Sequence, residues 1–218
     1  MFTSGRAFGS WSKHCAAFAG ALIVLTLGFF GRQLFAQTLD YTGSTLTQNF
    51  NTLSQTGTGN AWSNGSTLNG WFGYSQPATA PVALTTYNAD NGSLTGGALY
   101  SYGNTGSSNR ALGSLGSGGA YWGSPASNSV AGWWGVAITN NSGVAQTSFT
   151  VNFLAEQWRV GGNASMAPQE MEMDYGFGST FASVSNWTDA GNGFDFASLQ
   201  NGATAMALDG TASANNAA

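Results

Sequence analysis

Three acids alternate along one short stretch, Gln169 to Gly178, which reads QEMEMDYGFG. On an extended strand Glu170, Glu172 and Asp174 share one face, and Met171, Met173, Tyr175 and Phe177 share the other. Alternate residues then stand about 6.5–7 Å apart, from a rise of ~3.3 Å each. That lies in the ~6.5–9.5 Å range of an inverting carboxylate pair and outside the ~5–5.5 Å of a retaining pair. Carboxylate oxygens also suit calcium, and a solvated strand face carries the same row of acids. The solvated face is the reading adopted, with no residue assigned to catalysis. Hydrolysis by Glu170, Glu172 and Asp174 is its alternative.

A second charged constellation is LAEQWRVGGN, residues 154–163. Period two places Arg159 at the end of the row Phe149, Val151, Phe153, Ala155, Gln157, with Glu156 and Trp158 on the opposite face. Glu156 and Arg159 are therefore not expected to pair directly without a bulge near Gln157. Arg159 is expected to fasten loop carbonyls at the end of the fold, because a guanidinium offers five donors in a rigid fork. Arg110, in SSNRALG, is assigned the same kind of structural role, as is Glu156.

The loop YNADNGS, residues 87–93, sets Asp90 beside Asn88 and Asn91. Such loops use Asp and Asn for local backbone hydrogen bonds, which is the preferred reading. A calcium site using Asp90 or Asp174 is the alternative, and no other cofactor is expected. Trp133 and Trp134 are adjacent, so on a strand they face opposite ways and one is free to be exposed. Together with Trp158 they offer a glycan-stacking platform, against the plainer reading that tryptophans fill the core.

The composition around these residues narrows the chemistry. Residues 1–36 contain Arg6, Lys13, Arg32, the sole His14 and the sole Cys15, and an apolar run from Ala16 to Phe30. This is the pattern of a secretory signal cleaved after Ala36. The apolar run is short against the ~20 residues of a spanning helix, so no membrane segment is expected after cleavage. Residues 37–218 then hold two cations against nine acids, a formal charge of −7. Nucleic-acid binding, which requires clustered Lys and Arg, is excluded. Without His or Cys that region has no Ser-His-Asp triad, thiol nucleophile, disulfide or ordinary zinc site.

The elements that must position the candidate residues are strands. Period-two alternation and turns rich in Gly and Asn dominate after residue 37. The clearest unit is residues 132–159, read as an antiparallel hairpin turning at Asn140–Gly143. Other strands are expected over 70–75, 83–89, 97–103, 170–178 and 194–199, with 203–210 a strand or a short helix. Many short strands without helical crossovers indicate one all-β antiparallel sandwich over residues 37–218.

The segments NFNTLSQTGTGNAWSNGSTLNGWF, SSNRALGSLGSG, GVAITNNSG and LAEQWRVGGN resemble a domain of secreted bacterial proteins of the PEP-CTERM type. The resemblance covers roughly Tyr41 to Gly210 and implies a jelly-roll-like β-sandwich with no single activity. It also implies further strands beyond LDG, so the chain is expected to be C-terminally incomplete or a divergent short form. An incomplete sheet exposes a strand edge that invites another chain. The acidic row also looks like the E-x-D-x-E strand of jelly-roll β-glucanases, but Glu172 stands at its Asp and Asp174 at its acid/base Glu. The expectation is an exported, non-enzymatic sandwich that serves as a structural, adhesive or binding module outside the cell or in its envelope. Its partner would be extracellular polysaccharide or matrix. A carbohydrate-binding module and a glycoside hydrolase are the alternatives.

Overall fold

The computed structural model describes residues 38–75, 82–116, 132–162 and 168–218, and the backbone alone of residues 2–3 and 12–15. The described parts of the expected signal segment, residues 2–3 and 12–15, pair beside later strands in the two sheets; the rest of it lies outside the described residues. The strands are β1 (Phe2–Thr3), β2 (Ser12–Cys15), β3 (Leu39–Tyr41), β4 (Asn60–Ala61), β5 (Trp71–Ser75) and β6 (Val82–Ala83). They continue with β7 (Thr86–Asp90), β8 (Ala98–Tyr102), β9 (Ala111–Leu115), β10 (Gly132–Val136), β11 (Ile138–Asn140) and β12 (Ala155–Val160). The last are β13 (Glu170–Gly176), β14 (Trp187–Asp189), β15 (Phe196–Ala197), β16 (Met206–Ala207) and β17 (Asn216–Ala217). Two single-turn 3₁₀ segments, Phe181–Ser183 and Ser213–Asn215, are the only helical backbone among the described residues.

The chain is an all-β sandwich. One sheet runs β16-β12-β1-β9-β8-β7-β4, with β17 also on β12, and the other runs β14-β13-β2-β10-β5-β6, with β15 also on β13. Both sheets feed one core: Tyr87, Leu99, Leu112 and Ala155 come from the first, and Trp134, Met171 and Phe196 from the second. Antiparallel ladders such as β8–β9 and β5–β10 outnumber parallel ones, eight to six among the described pairings. One of the parallel pairs shapes the loop within it. β7 and β8 pair in parallel, so residues 91–97 must return across the sheet. Leu94 in that loop packs on Tyr100, Tyr102, Leu115 and Trp158. The return loop thus roofs a second apolar cluster, outside the sandwich core.

The expected hairpin over 132–159 is corrected. β10 pairs with β5, whereas β12 belongs to the other sheet, so Asn140–Gly143 is part of a crossing between sheets. A short strand pair, Ile138–Asn140 on Leu39–Tyr41, anchors the start of that crossing. Residues 148–154, expected to be strand, carry no ladder, and the regular strand begins at Ala155. The alternating apolar pattern is present there without a ladder to any described strand.

Candidate functional site

Asp90 closes the loop after β7. Its Oδ2 accepts the amides of Gly92 (2.8 Å) and Leu94 (2.9 Å), and its Oδ1 accepts the Ser93 hydroxyl (2.8 Å). This is the local turn role preferred from sequence. Asp90 ends β7 in one sheet and Asp174 lies on β13 in the other. Among the described residues no group of three or more His, Cys, Asp or Glu side chains is placed to hold a metal ion.

The two arginines stitch this loop to the sheet. Arg159 is buried, and its Nη1 donates to the carbonyls of Gly92 (2.8 Å) and Ser93 (3.3 Å), the loop-fastening role expected. Arg110 is 3 % exposed; its Nε donates to Ser101 Oγ (2.9 Å) and its Nη2 to the carbonyls of Ser101 and Asp90. Burial lowers the Arg110 guanidinium pKa, with Asp90 acting in the opposite sense. Gly92 has φ +91, and a Cβ there would collide with the Trp158 carbonyl. Gly92→Ala therefore combines left-handed strain of ~1–2 kcal/mol with overpacking of ~1–3 kcal/mol. The expected result is a lower Tm by calorimetry.

Glu156 and Trp158 share a face, as parity requires: Trp158 Nε1 donates to Glu156 Oε2 at 2.9 Å, both residues being buried. Burial raises the Glu156 pKa, and the bond from Trp158 offsets part of that rise. A carboxyl group whose folded pKa is raised contributes stability that is full below its unfolded pKa and is lost as pH climbs through the folded one. Glu156→Gln keeps an oxygen for Trp158 and removes the charge. Its Tm should exceed wild type at pH 7 and converge with it near pH 4, a gap that thermal melts at the two pH values measure.

The acidic row emerges as the sequence arranged it. Met171 and Met173 are buried at 2 % and 5 % exposure, and Glu170, Glu172 and Asp174 alternate with them on the outer side. Asp174 sits opposite Asp189 across the β13–β14 ladder. Like charges in that position destabilise a sheet unless they are solvated or bonded elsewhere.

The three candidate tryptophans separate. Trp158 is 1 % exposed and stacks on Tyr102 at 6.1 Å, so no face is left for a sugar ring. Trp134, at 8 % exposure, belongs to the sandwich core. These two correct the platform expectation. Trp133 turns the other way, as adjacent strand residues must. It is half-buried, stacks on Tyr74 (5.8 Å), and shares an outer aromatic cluster with Phe181 and Trp187.

A groove of about 740 Å³ lies elsewhere among the described residues. Its apolar lining includes Phe50, Trp71, Leu112, Trp134, Val136 and Met173. The segments around 45–50 and 148–154 add Thr45, Thr47, Gln48, Asn49, Ser148, Thr150 and Asn152. Glu156 is the one carboxylate among the lining residues, and Arg110 the one cation. Met173 is the contribution of β13, whose acids do not line it. Phe50 holds φ 61, an unusual conformation for an aromatic residue. Its ring meets Trp71 edge-on at 4.9 Å. The Trp71 indole N–H is buried and has no hydrogen-bond partner among the described residues. A volume of this size, apolar with a few polar groups, is typical of a ligand site.

Sequence reasoning did not find this groove. Its polar residues come from loops with no motif, and Arg110, Glu156 and Trp134, which line it, were each read for another role. It also missed Gln157, fully buried, which donates to Gln200 O (2.7 Å) and accepts from Gln200 N (2.7 Å). The signal was available: Gln157 is an amide on the parity of Phe153 and Ala155. Searches against family models, curated proteins and solved structures return no match to the chain.

Proposed function

We propose that the chain is an exported, non-enzymatic β-sandwich module, secreted or held in the cell envelope, that acts by binding or adhesion. The observation carrying this reading is the groove: an aromatic floor, walls in which hydroxyl and amide side chains alternate with apolar ones, and a single carboxylate already bonded to an indole. Glycosidic hydrolysis requires two carboxyl groups flanking one bond, and the groove supplies one. An uncharged extracellular polymer, polysaccharide or matrix, is the ligand class these walls suit. To test it, the exported chain is titrated against envelope and matrix polymers, with Trp71→Ala as the groove variant. Saturable binding that Trp71→Ala weakens about tenfold or more, an interaction of ~1.4 kcal/mol, is expected. Binding indifferent to Trp71→Ala would remove the groove from the account.

Carbohydrate binding at a different surface is a second reading, favoured by one observation. The stacked Trp133–Tyr74 pair is half-buried, with Trp187 packed in the same outer cluster. Such rings stack on sugar faces, and loss of an aromatic hot spot costs ~1 kcal/mol or more. On a glycan array, Trp133→Ala should abolish or strongly reduce any signal that Trp71→Ala leaves intact. An array with no wild-type signal sinks this second reading.

A further inference from the structure

The chain contains five Asn–Gly pairs: Asn64–Gly65, Asn69–Gly70, Asn91–Gly92, Asn192–Gly193 and Asn201–Gly202. A glycine after asparagine leaves its amide nitrogen open to attack the side-chain carbonyl, because no Cβ stands in the way. The attack needs a free carboxamide, a free glycine amide and a backbone with room to turn. The fold withholds at least one of these from four pairs. Asn64 Oδ1 accepts Trp62 Nε1 (2.7 Å) and the Gly73 amide (2.8 Å), while the Gly65 amide donates to the Trp71 carbonyl (2.7 Å). Gly70 is buried against Leu39, and its amide donates to the Gly65 carbonyl (3.4 Å). Asn91 Nδ2 donates to Thr105 Oγ1 (3.3 Å), and the Gly92 amide to Asp90 Oδ2 (2.8 Å). Asn201 is held at both ends by Ser198, whose Oγ donates to it (2.6 Å) and whose carbonyl accepts from it (3.2 Å).

Asn192–Gly193 differs on each count. Both residues are exposed, and neither the Asn192 side chain nor the Gly193 amide is hydrogen-bonded among the described residues. They are the two central residues of a turn closed by the Phe194 amide on the Gly191 carbonyl (2.9 Å). A Cβ placed on Gly193 would meet nothing within 4 Å, so the backbone has room. We propose that Asn192 is a self-modification site, which deamidates through a cyclic imide with Gly193. The Gly193 nitrogen bonds to Asn192 Cγ, and the carboxamide nitrogen leaves as ammonia, taking the proton that the Gly193 amide gives up. Water then opens the imide at either carbonyl, leaving aspartate or isoaspartate. Either product adds a negative charge between Asp189 and Asp195, and isoaspartate also lengthens the backbone. The flanks of this turn are tied to β13 at Met173: the Ala190 amide donates to the Met173 carbonyl (2.8 Å), and Asp195 Oδ1 accepts the Met173 amide (3.4 Å). Modification therefore acts beside the strand that carries Met173 to the groove, whatever the groove binds.

The test is incubation of the purified chain at mildly alkaline pH, folded and in urea, with mass-spectrometric peptide mapping of all five pairs. In the folded chain Asn192 should convert about tenfold faster than any of the other four, since each of those must first open a hydrogen bond. In urea the five rates should converge, because the protection of four belongs to the fold. Gly193→Ala, whose methyl group has room, should slow conversion of Asn192 about tenfold or more with an unchanged Tm. Methylation specific for isoaspartate should label the aged wild type and not Asn192→Ser. An Asn192 that stays intact in the folded chain, faster conversion at another pair, or the same preference for Asn192 in urea would each overturn the proposal.

Discussion

Replacing Trp158 by alanine is expected to cost about 3–5 kcal/mol of folding stability, the range for removing a buried large aromatic. At ~2–4 °C per kcal/mol for a chain of this size, the Tm falls by roughly 6–20 °C. Two losses combine. The indole is 1 % exposed beneath Leu94 and against Tyr102, so its removal leaves a cavity under the loop that returns from β7 to β8. It is also the donor to Glu156, and deletion leaves a buried carboxyl group without that bond. The second loss worsens as pH rises, because the carboxyl is then asked to carry charge in the same buried place. Thermal melts of Trp158→Ala at pH 4 and pH 7 should therefore show a larger deficit at pH 7. A glycan-platform role for Trp158 predicts the reverse: ligand binding lost with Tm intact.

Arg110→Ala is expected to destabilise by about 2–4 kcal/mol. The guanidinium joins the end of β7 to β8 through Ser101 Oγ and the carbonyls of Ser101 and Asp90, while the Arg110 amide is held by Asn51 Oδ1 (2.9 Å). Removing the side chain takes a charged donor from buried Ser101 acceptors, at ~1–3 kcal/mol each, whereas the Asp90 carbonyl keeps the Gly103 amide. Losing the desolvated charge itself returns part of that. Arg110→Lys should recover only a fraction, because an ammonium cannot reproduce the planar fork. Urea unfolding measures both variants. Because Arg110 also borders the groove, a ligand-binding role would instead appear as weakened affinity with an unchanged midpoint.

These two residues show how far the sequence carries. Their types were informative: two cations in a long acidic region have to be placed somewhere deliberate, and Arg159 donates to loop carbonyls as its parity and fork geometry suggested. The alternating acids of β13 and the opposite facing of Trp133 and Trp134 followed from period two alone. What period two cannot supply is the partner of a strand. It read residues 132–159 as a hairpin because nothing local distinguishes a tight turn from a crossing between sheets. It missed β9, ALGSL, because a strand buried on both faces has no polar–apolar alternation to read. Trp158 was legible as an aromatic but not as a buried one, since its cover is the loop 91–97, tied down by bonds spanning more than sixty positions. The groove depends on the meeting of segments 45–50 and 148–154 around a floor from both sheets, a purely tertiary event.

The most direct test of the central claim, a module that binds without reacting, measures two quantities in one sample. The exported chain is incubated with soluble glucans and other neutral polysaccharides, and retained polymer and newly released reducing ends are assayed together. The account predicts retention with reducing ends at the level of the blank, and no difference between wild type and Glu172→Gln. Release of reducing ends by wild type that Glu172→Gln abolishes would contradict it and reinstate the acidic row of β13 as an active site.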